Sequence, residues 1–425
     1  MFKKILAAAV AVITVFSTMM PLQAIEDNVS ISAQNAIVID EESGKILYER
    51  NAKERMYPAS ITKILTIICA LEKVDDLDKT VTITQSDLDT VWETGASAAN
   101  FEVGEVVTYR DVFMGAMLPS GADACRALAN NTSGSQEAFV DDMNKLAQKL
   151  GLTDTHFVNT TGIHDDNHYT TVYDMAKITQ YAMQNENFVE LFNRYQYNAS
   201  NGKHQWVKKV IYNAKRANID TSMITGCKSG YTMKAQHTLA SSLNINGHTY
   251  ICVVGYCRNS DGYSHCTIND TLALGQYIGS HYQYVNLNKK GEKVKTIEVK
   301  DGEEESFDVL LEDDINAVLP VNYDQGKLNY EYHFDNVEAP VEKGDKVGTL
   351  KVTYDDEILY ETTFKASTAI EKKFSTKVKD TAFAVIPWII GIIAGLIIAL
   401  FIARSIFRKI RRNRRRKYNR YRRRY

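Results

Sequence analysis

The first 260 residues carry short apolar runs at both ends and helical spacing between them. Ala36-Ile37-Val38-Ile39-Asp40, a Glu-Glu-Ser-Gly turn and Ile46-Leu47-Tyr48 predict a β-hairpin. Pro58-Ala59-Ser60 opens a predicted helix whose apolar positions, Ile61, Ile64, Leu65, Ile67, Ile68 and Leu71, nearly encircle it. A helix apolar on most faces is buried. Helical patterns return over 109–118, 123–129, 136–150 and 172–183, and strand-like runs over 238–240 and 250–255. Strands at both ends of a helical middle predict an α+β domain over about residues 30–280. Its core is one antiparallel sheet assembled from distant segments, with helices packed on it.

Around Val285 the period changes. Runs over 293–299, 307–311, 349–354 and 358–364 alternate apolar and polar residues, with Asp301-Gly302 and Asp355-Asp356-Glu357 as turns. They predict a small all-β domain over 285–370, followed by a polar linker, 371–380. Residues 381–403 then run 23 positions without a charge. As a helix that is about 34 Å, enough to cross a bilayer. From Arg404 to Tyr425 there are 13 Lys or Arg and no acid, which argues against a buried core helix. The positive-inside rule puts the 404–425 tail in the cytoplasm and the two domains outside, in a single-pass cell-membrane protein. Lys3, Lys4 and the apolar run from Ile5 to Phe16 predict a secretory signal peptide over 1–24.

Charge sharpens this picture. Taking those 13 residues and Lys3 and Lys4 from the 50 basic ones leaves 35 against 52 acids, a net of about −17 for the middle of the chain. Such a surface does not favour nucleic acid. Gly391 and Gly395 form a G-x-x-x-G, too common in apolar helices to fix an oligomeric state. The six cysteines, 69, 125, 227, 252, 257 and 266, include no C-x-x-C, and they read as small buried hydrophobes in a domain large enough to fold without disulfides.

Candidate chemistry lies in three segments: Ser60-Ile61-Thr62-Lys63, Ser120-Gly121-Ala122 and Lys228-Ser229-Gly230. Spacing of three on a helix puts Ser60 and Lys63 on one face. A serine attacks only when a base removes its proton. Lowering a lysine pKa from about 10.4 to about 7 requires roughly 4 kcal/mol of bias against its charge. Burial among Ile64 and Ile67, with Lys228 close by, pushes that way. A capping serine and a solvated lysine are the bland alternative, but this helix has no solvated face to spare. Ser120 could be a plain helix cap before Asp123, or a loop hydroxyl that relays a proton. Lys228 could be an ordinary edge-strand lysine, or the cation that holds a substrate carboxylate beside Ser229. Backbone N–H groups of Ser60 and Tyr231 could form an oxyanion hole.

S-x-x-K, a second serine motif and a lysine triplet in this order resemble the set found in β-lactamases and penicillin-binding proteins. The longer segments Pro58 to Lys63, Leu118 to Ala124, His156 to Gly162, His168 to Ala176 and Gly226 to Thr232 resemble the serine-type D-alanyl-D-alanine carboxypeptidases, the low-molecular-mass penicillin-binding proteins. The resemblance covers about residues 30–370. It implies a serine β-lactamase-like α+β fold, then a small all-β domain and one membrane helix. It implies Ser60 as nucleophile, Lys63 as general base and Ser120 as proton relay, with Lys228, Ser229, Gly230, Tyr231 and Thr232 binding substrate. The implied partners are peptidoglycan stem peptides, β-lactams and the membrane; no cofactor or metal is required. Ala122 stands where that family usually has asparagine, which puts rate or substrate orientation in question, and Ser229 replaces threonine. A full spanning helix stands where many relatives have a surface helix.

Three alternatives have their own signals. A β-lactamase would need efficient deacylation, and the 164–168 loop offers aspartates and histidines but no glutamate. A catalytically impaired penicillin-binding wall scaffold is suggested by Ala122. A zinc peptidase could use His164, Asp166 and His168.

Overall fold

The computed structural model describes residues 29–89, 95–258 and 265–421; the expected signal peptide lies outside them. Two compact units divide the chain. The first runs to Tyr284 and takes in Val318–Asn322, and the second comprises Val285–Ala317 and Tyr323–Tyr425.

In the first unit the predicted hairpin forms as β1 (Asn35–Asp40) and β2 (Ile46–Arg50). Three late strands complete the sheet: β3 (Ile224–Thr232), β4 (Gln236–Ile245) and β5 (His248–Cys257). Their order is β2-β1-β5-β4-β3, antiparallel throughout, so the first strands and the last meet at the centre. Ile37 lies opposite Val253 and Val38 opposite Cys252. Because successive side chains point to opposite faces, Ile37, Ile39, Ile251 and Val253 enter one core while Val38, Cys252 and Val254 enter another.

The first core is shared with helices α1 (Lys63–Leu71), α2 (Tyr109–Met117), α3 (Ala122–Ser133), α4 (Gln136–Lys149) and α5 (Val172–Met183). The second is capped by α6 (His265–His281) through Ile268, Leu274 and Ile278. Helices therefore cover both faces, which is why β1 is buried at all six positions. Sequence periodicity did not announce α6, because Thr267, Asn269, Asp270 and Thr271 dilute its apolar stripe. The helix expected from Pro58 onward is also refined: Ala59–Thr62 is a tight 3-10 turn, and α1 proper begins at Lys63. Every residue of α1 is buried, Lys63 included. All six cysteines are buried and none is cross-linked.

The second unit is built on Leu328–Phe334, Lys346–Tyr354 and Glu357–Lys365 in one sheet, and on Lys293–Lys300 and Ser306–Leu310 in another. Ile297, Val299, Phe307, Val309, Leu350, Val352 and Phe364 fill its core, the inward half of each alternating run. One long helix follows, Phe374–Tyr421. Residues 374–380, expected as part of a linker, are helical, since no glycine or proline interrupts the chain between Phe374 and Ile386. This helix is long and apolar enough to cross a membrane, and its apolar stretch is unburied.

One buried carboxylate ties the entry of β1 to α6. Asp270 accepts from Ser32 N at 2.9 Å, Ser32 Oγ at 2.8 Å, Ala33 N at 2.8 Å and Cys257 Sγ at 3.3 Å. Asp270→Ala leaves buried donors without an acceptor, and the expected loss is about 3 kcal/mol of unfolding free energy in urea. A loss below about 1 kcal/mol would mean that the donors find other acceptors.

Candidate active site

The site forms where the 3-10 turn and α1, the start of α3, and edge strand β3 converge. Ala59 has φ +50°, a left-handed conformation costing a residue with a β-carbon roughly 1–2 kcal/mol. The carbonyl of the preceding Pro58 accepts from Thr238 Oγ1 on β4 at 3.0 Å. Together these aim Ser60 into the cleft. Lys63 Nζ lies 3.0 Å from Ser60 Oγ and donates to the Thr161 carbonyl at 2.5 Å. The lysine is 2% exposed. Burial holds its pKa below the ordinary lysine value, against the weaker opposing influence of Cys125 and Asp123.

Ser120 also has left-handed backbone, φ +65°. It does not cap α3; Gly121 occupies the cap position, where a β-carbon would come within 2.6 Å of Asp123 Oδ1. The Ser120 hydroxyl is thereby released to accept from Lys228 Nζ at 2.8 Å. Asp123 fixes the loop in front of α3, accepting from Ala99 N at 2.8 Å, Asn100 N at 2.9 Å and Phe101 N at 3.2 Å. Ala122 is buried and presents only a methyl group.

Lys228 sits in the middle of β3 and is buried. It donates to the Ser229 carbonyl at 2.9 Å as well as to Ser120. Burial first, and then the nearby Lys63, push its pKa well below that of an ordinary lysine. Two amines in one low-dielectric pocket cannot both stay charged cheaply. Next along the strand, a β-carbon on Gly230 would fall 2.6 Å from Ser60 N, so only glycine lets β3 approach the nucleophile turn this closely. Tyr231 is exposed. The Thr232 hydroxyl accepts from Ala235 N at 3.0 Å and closes the β3–β4 turn. Six of the eight expected residues, from Ser60 to Gly230, thus gather in one place; Tyr231 and Thr232 extend the rim beyond it.

The possible zinc cluster does not converge. His164 Nε2 is 3.4 Å from Asp166 Oδ1, but His168 is buried, with Nε2 2.8 Å from Thr62 Oγ1 and Nδ1 3.2 Å from Val158 N. Sequence reasoning missed how the 156–170 loop grips the nucleophile turn. Asn159 Oδ1 accepts from Thr161 N at 3.1 Å and Gly162 N at 2.8 Å, shaping the bend whose carbonyl meets Lys63. The available signal was Gly162 itself, whose φ of +81° suits glycine.

Comparison with known proteins places the chain in a family. A family model described as D-alanyl-D-alanine carboxypeptidase matches residues 22–256, and one for the C-terminal domain of penicillin-binding protein 5 matches residues 282–372. The chain belongs to the D-alanyl-D-alanine carboxypeptidase family of serine-type hydrolases. It is 30% identical over 353 residues to the carboxypeptidase DacF of Bacillus subtilis, covering 82% of this chain and 89% of that one. Identity to DacA of Escherichia coli is 29%, over 76% of this chain and 80% of the relative. Penicillin-binding protein 5 of Haemophilus influenzae shares the fold, with a TM-score of 0.67 at 24% identity, over 81% of this chain and 98% of that structure.

Gly162 offers a direct check on the loop's grip. A β-carbon there would lie 1.8 Å from the Ala59 carbonyl oxygen. Gly162→Ala is expected to slow acylation by a penicillin on the order of 100-fold, because the turn carrying Ser60 must move. Stopped-flow labelling measures it, and an unchanged rate would show that the turn is not held from this side.

Proposed function

We propose that the protein removes the terminal D-alanine from peptidoglycan stem peptides through an acyl-enzyme on Ser60, and that β-lactams acylate the same hydroxyl. The observation that carries this reading is the buried Lys63 amine 3.0 Å from Ser60 Oγ. Lys63, uncharged, takes the Ser60 proton, and Oγ attacks the carbonyl of the penultimate D-alanine. The oxyanion is held by N–H groups of Ser60 and Tyr231; the proximity of Gly230 to Ser60 N supports that pairing. Collapse expels the terminal D-alanine, whose amine is protonated through Ser120. Water, deprotonated by Lys63, then releases the shortened peptide.

Lys228 receives the terminal carboxylate. In the unliganded protein its charge is disfavoured by burial and by Lys63. An arriving carboxylate opposes that bias and favours the charged form of Lys228, while Lys63 serves as the neutral amine. Substrate thus assigns the two lysines their roles. Ser229 and Thr232 orient the peptide at the rim.

A second reading, an impaired penicillin-binding scaffold, rests on Ala122, which supplies no amide beside Lys63. Release of D-alanine from a pentapeptide over many turnovers supports the enzyme; stoichiometric acylation without turnover supports the scaffold. Ser60→Ala is expected to abolish labelling by fluorescent penicillin, and undiminished labelling would refute the assignment.

The depressed Lys63 pKa sets a pH dependence. Acylation rises with pH through that lowered value and levels off below the ordinary lysine value of 10.5. Because the folded state binds this proton less tightly than the unfolded chain, stability also rises with pH across the same window. Lys63→Arg stays charged throughout and is expected to lose acylation on the order of 10³-fold at every pH. A variant that kept the parent profile would remove Lys63 from the base role.

We further propose a signal peptide over 1–24, a catalytic domain over 30–280 and a β-domain over 285–370 outside the cell, with 381–403 crossing the membrane and 404–425 inside. Protease added to intact cells is then expected to digest the catalytic domain and spare a tag placed after Tyr425. Digestion of the tag would reverse the topology.

A further inference from the structure

The loop from Phe157 to Thr170 does more than supply an acceptor for Lys63. His168 is 1% exposed, and its ring packs edge-on against Phe157 with centroids 5.3 Å apart. Its Nδ1 faces the backbone N–H of Val158 at 3.2 Å, so that nitrogen is the acceptor and the ring proton sits on Nε2. Nε2 is 2.8 Å from Thr62 Oγ1. With the imidazole donating, the Thr62 hydroxyl has its own proton free, and it lies 2.8 Å from the Ala59 carbonyl oxygen. The relay therefore runs in one direction, from Val158 N–H through imidazole and hydroxyl to one carbonyl.

That carbonyl belongs to the peptide joining Ala59 to Ser60. A trans peptide is planar, with C=O and N–H pointing in opposite directions. Fixing the Ala59 oxygen therefore fixes the direction of the Ser60 N–H, whose nitrogen would lie 2.6 Å from a β-carbon on Gly230 of β3. The peptide follows a residue held at φ +50°, a conformation that persists only where surroundings impose it. We infer that His168 and Thr62 are positioning residues, which orient the Ser60 N–H toward the oxyanion formed on acylation. Neither touches substrate. Burial keeps the imidazole uncharged, with its pKa lowered to about 3, so the relay holds its direction at neutral pH.

The inference rests on Ser60 as nucleophile and its N–H as oxyanion donor. An interaction realised only when the oxyanion forms alters the acylation step and not the initial complex. Thr62→Val keeps side-chain volume and removes the hydroxyl; Thr62→Ser restores it. His168→Leu removes the imidazole donor, and His168→Gln retains one. For Thr62→Val and His168→Leu, the first-order acylation constant with a penicillin is expected to fall about 10- to 100-fold. The dissociation constant of the non-covalent complex should move less than about 3-fold, while a boronic acid that forms a tetrahedral adduct loses affinity by the same factor as the rate. Thr62→Ser and His168→Gln should recover most of the loss.

A parent-like rate for Thr62→Val overturns the inference. So does a loss confined to initial binding, or a Thr62→Ser variant as slow as Thr62→Val. Should His168→Leu lose its cooperative thermal transition, the Thr62 pair decides alone. Ser60→Ala, run in parallel, separates the two levels: if it still acylates, the nucleophile assignment fails; if it is inert and Thr62→Val is fast, only the positioning role fails.

Discussion

An amine taken out of water beside a single hydroxyl is the constraint on which the rest of this structure depends. Lys63 lies inside a helix in which every residue is buried, and in its place a solvated cation would leave Ser60 unactivated. The bias needed to make a lysine a base near neutrality is about 4 kcal/mol. Burial supplies its dominant part, and Lys63 in turn stands close enough to disfavour the charge of Lys228. The fold therefore holds two amines in one low-dielectric pocket, where both cannot stay charged cheaply.

Placing four elements around that pair requires backbone that most sequences avoid. Ala59 and Ser120 both have left-handed φ, and both precede or carry a serine directed into the cleft. Glycine is used differently, for close approach: Gly162 against the Ala59 carbonyl, Gly121 against Asp123, Gly230 against Ser60 N. The strained Ser60 turn is held by hydrogen bonds from Thr62 within it and Thr238 outside it, and the loop in front of α3 is held by Asp123. A rigid sheet buried on both faces provides the frame, with its edge strand β3 forming one wall of the site.

Much of this was legible before any coordinates. The hairpin at 35–50, the encircled helix at Ser60, four further helices and the alternating runs of the β-domain all followed from period and turn residues. The three motifs named the site because serine and lysine at spacing three are informative on a helix with no polar face. Other features were not legible. Helix α6 is diluted by polar residues that serve the sheet, such as Asp270. Ser120 resembled a helix cap until Gly121 was found in that role. His168 resembled a metal ligand by its spacing from His164, yet both of its nitrogens face other partners.

Local pattern decided what the segments are, because helical and strand periods and the excess of positive charge after residue 403 act over a few turns of chain. It also decided which functional groups were available. Which of them meet was decided only by tertiary structure, since Lys63 meets Thr161 across 98 positions and Lys228 meets Ser120 across 108. Spacing along a chain carries no information on contacts of that range, and the low dielectric that perturbs both lysines exists only once the core has closed around them.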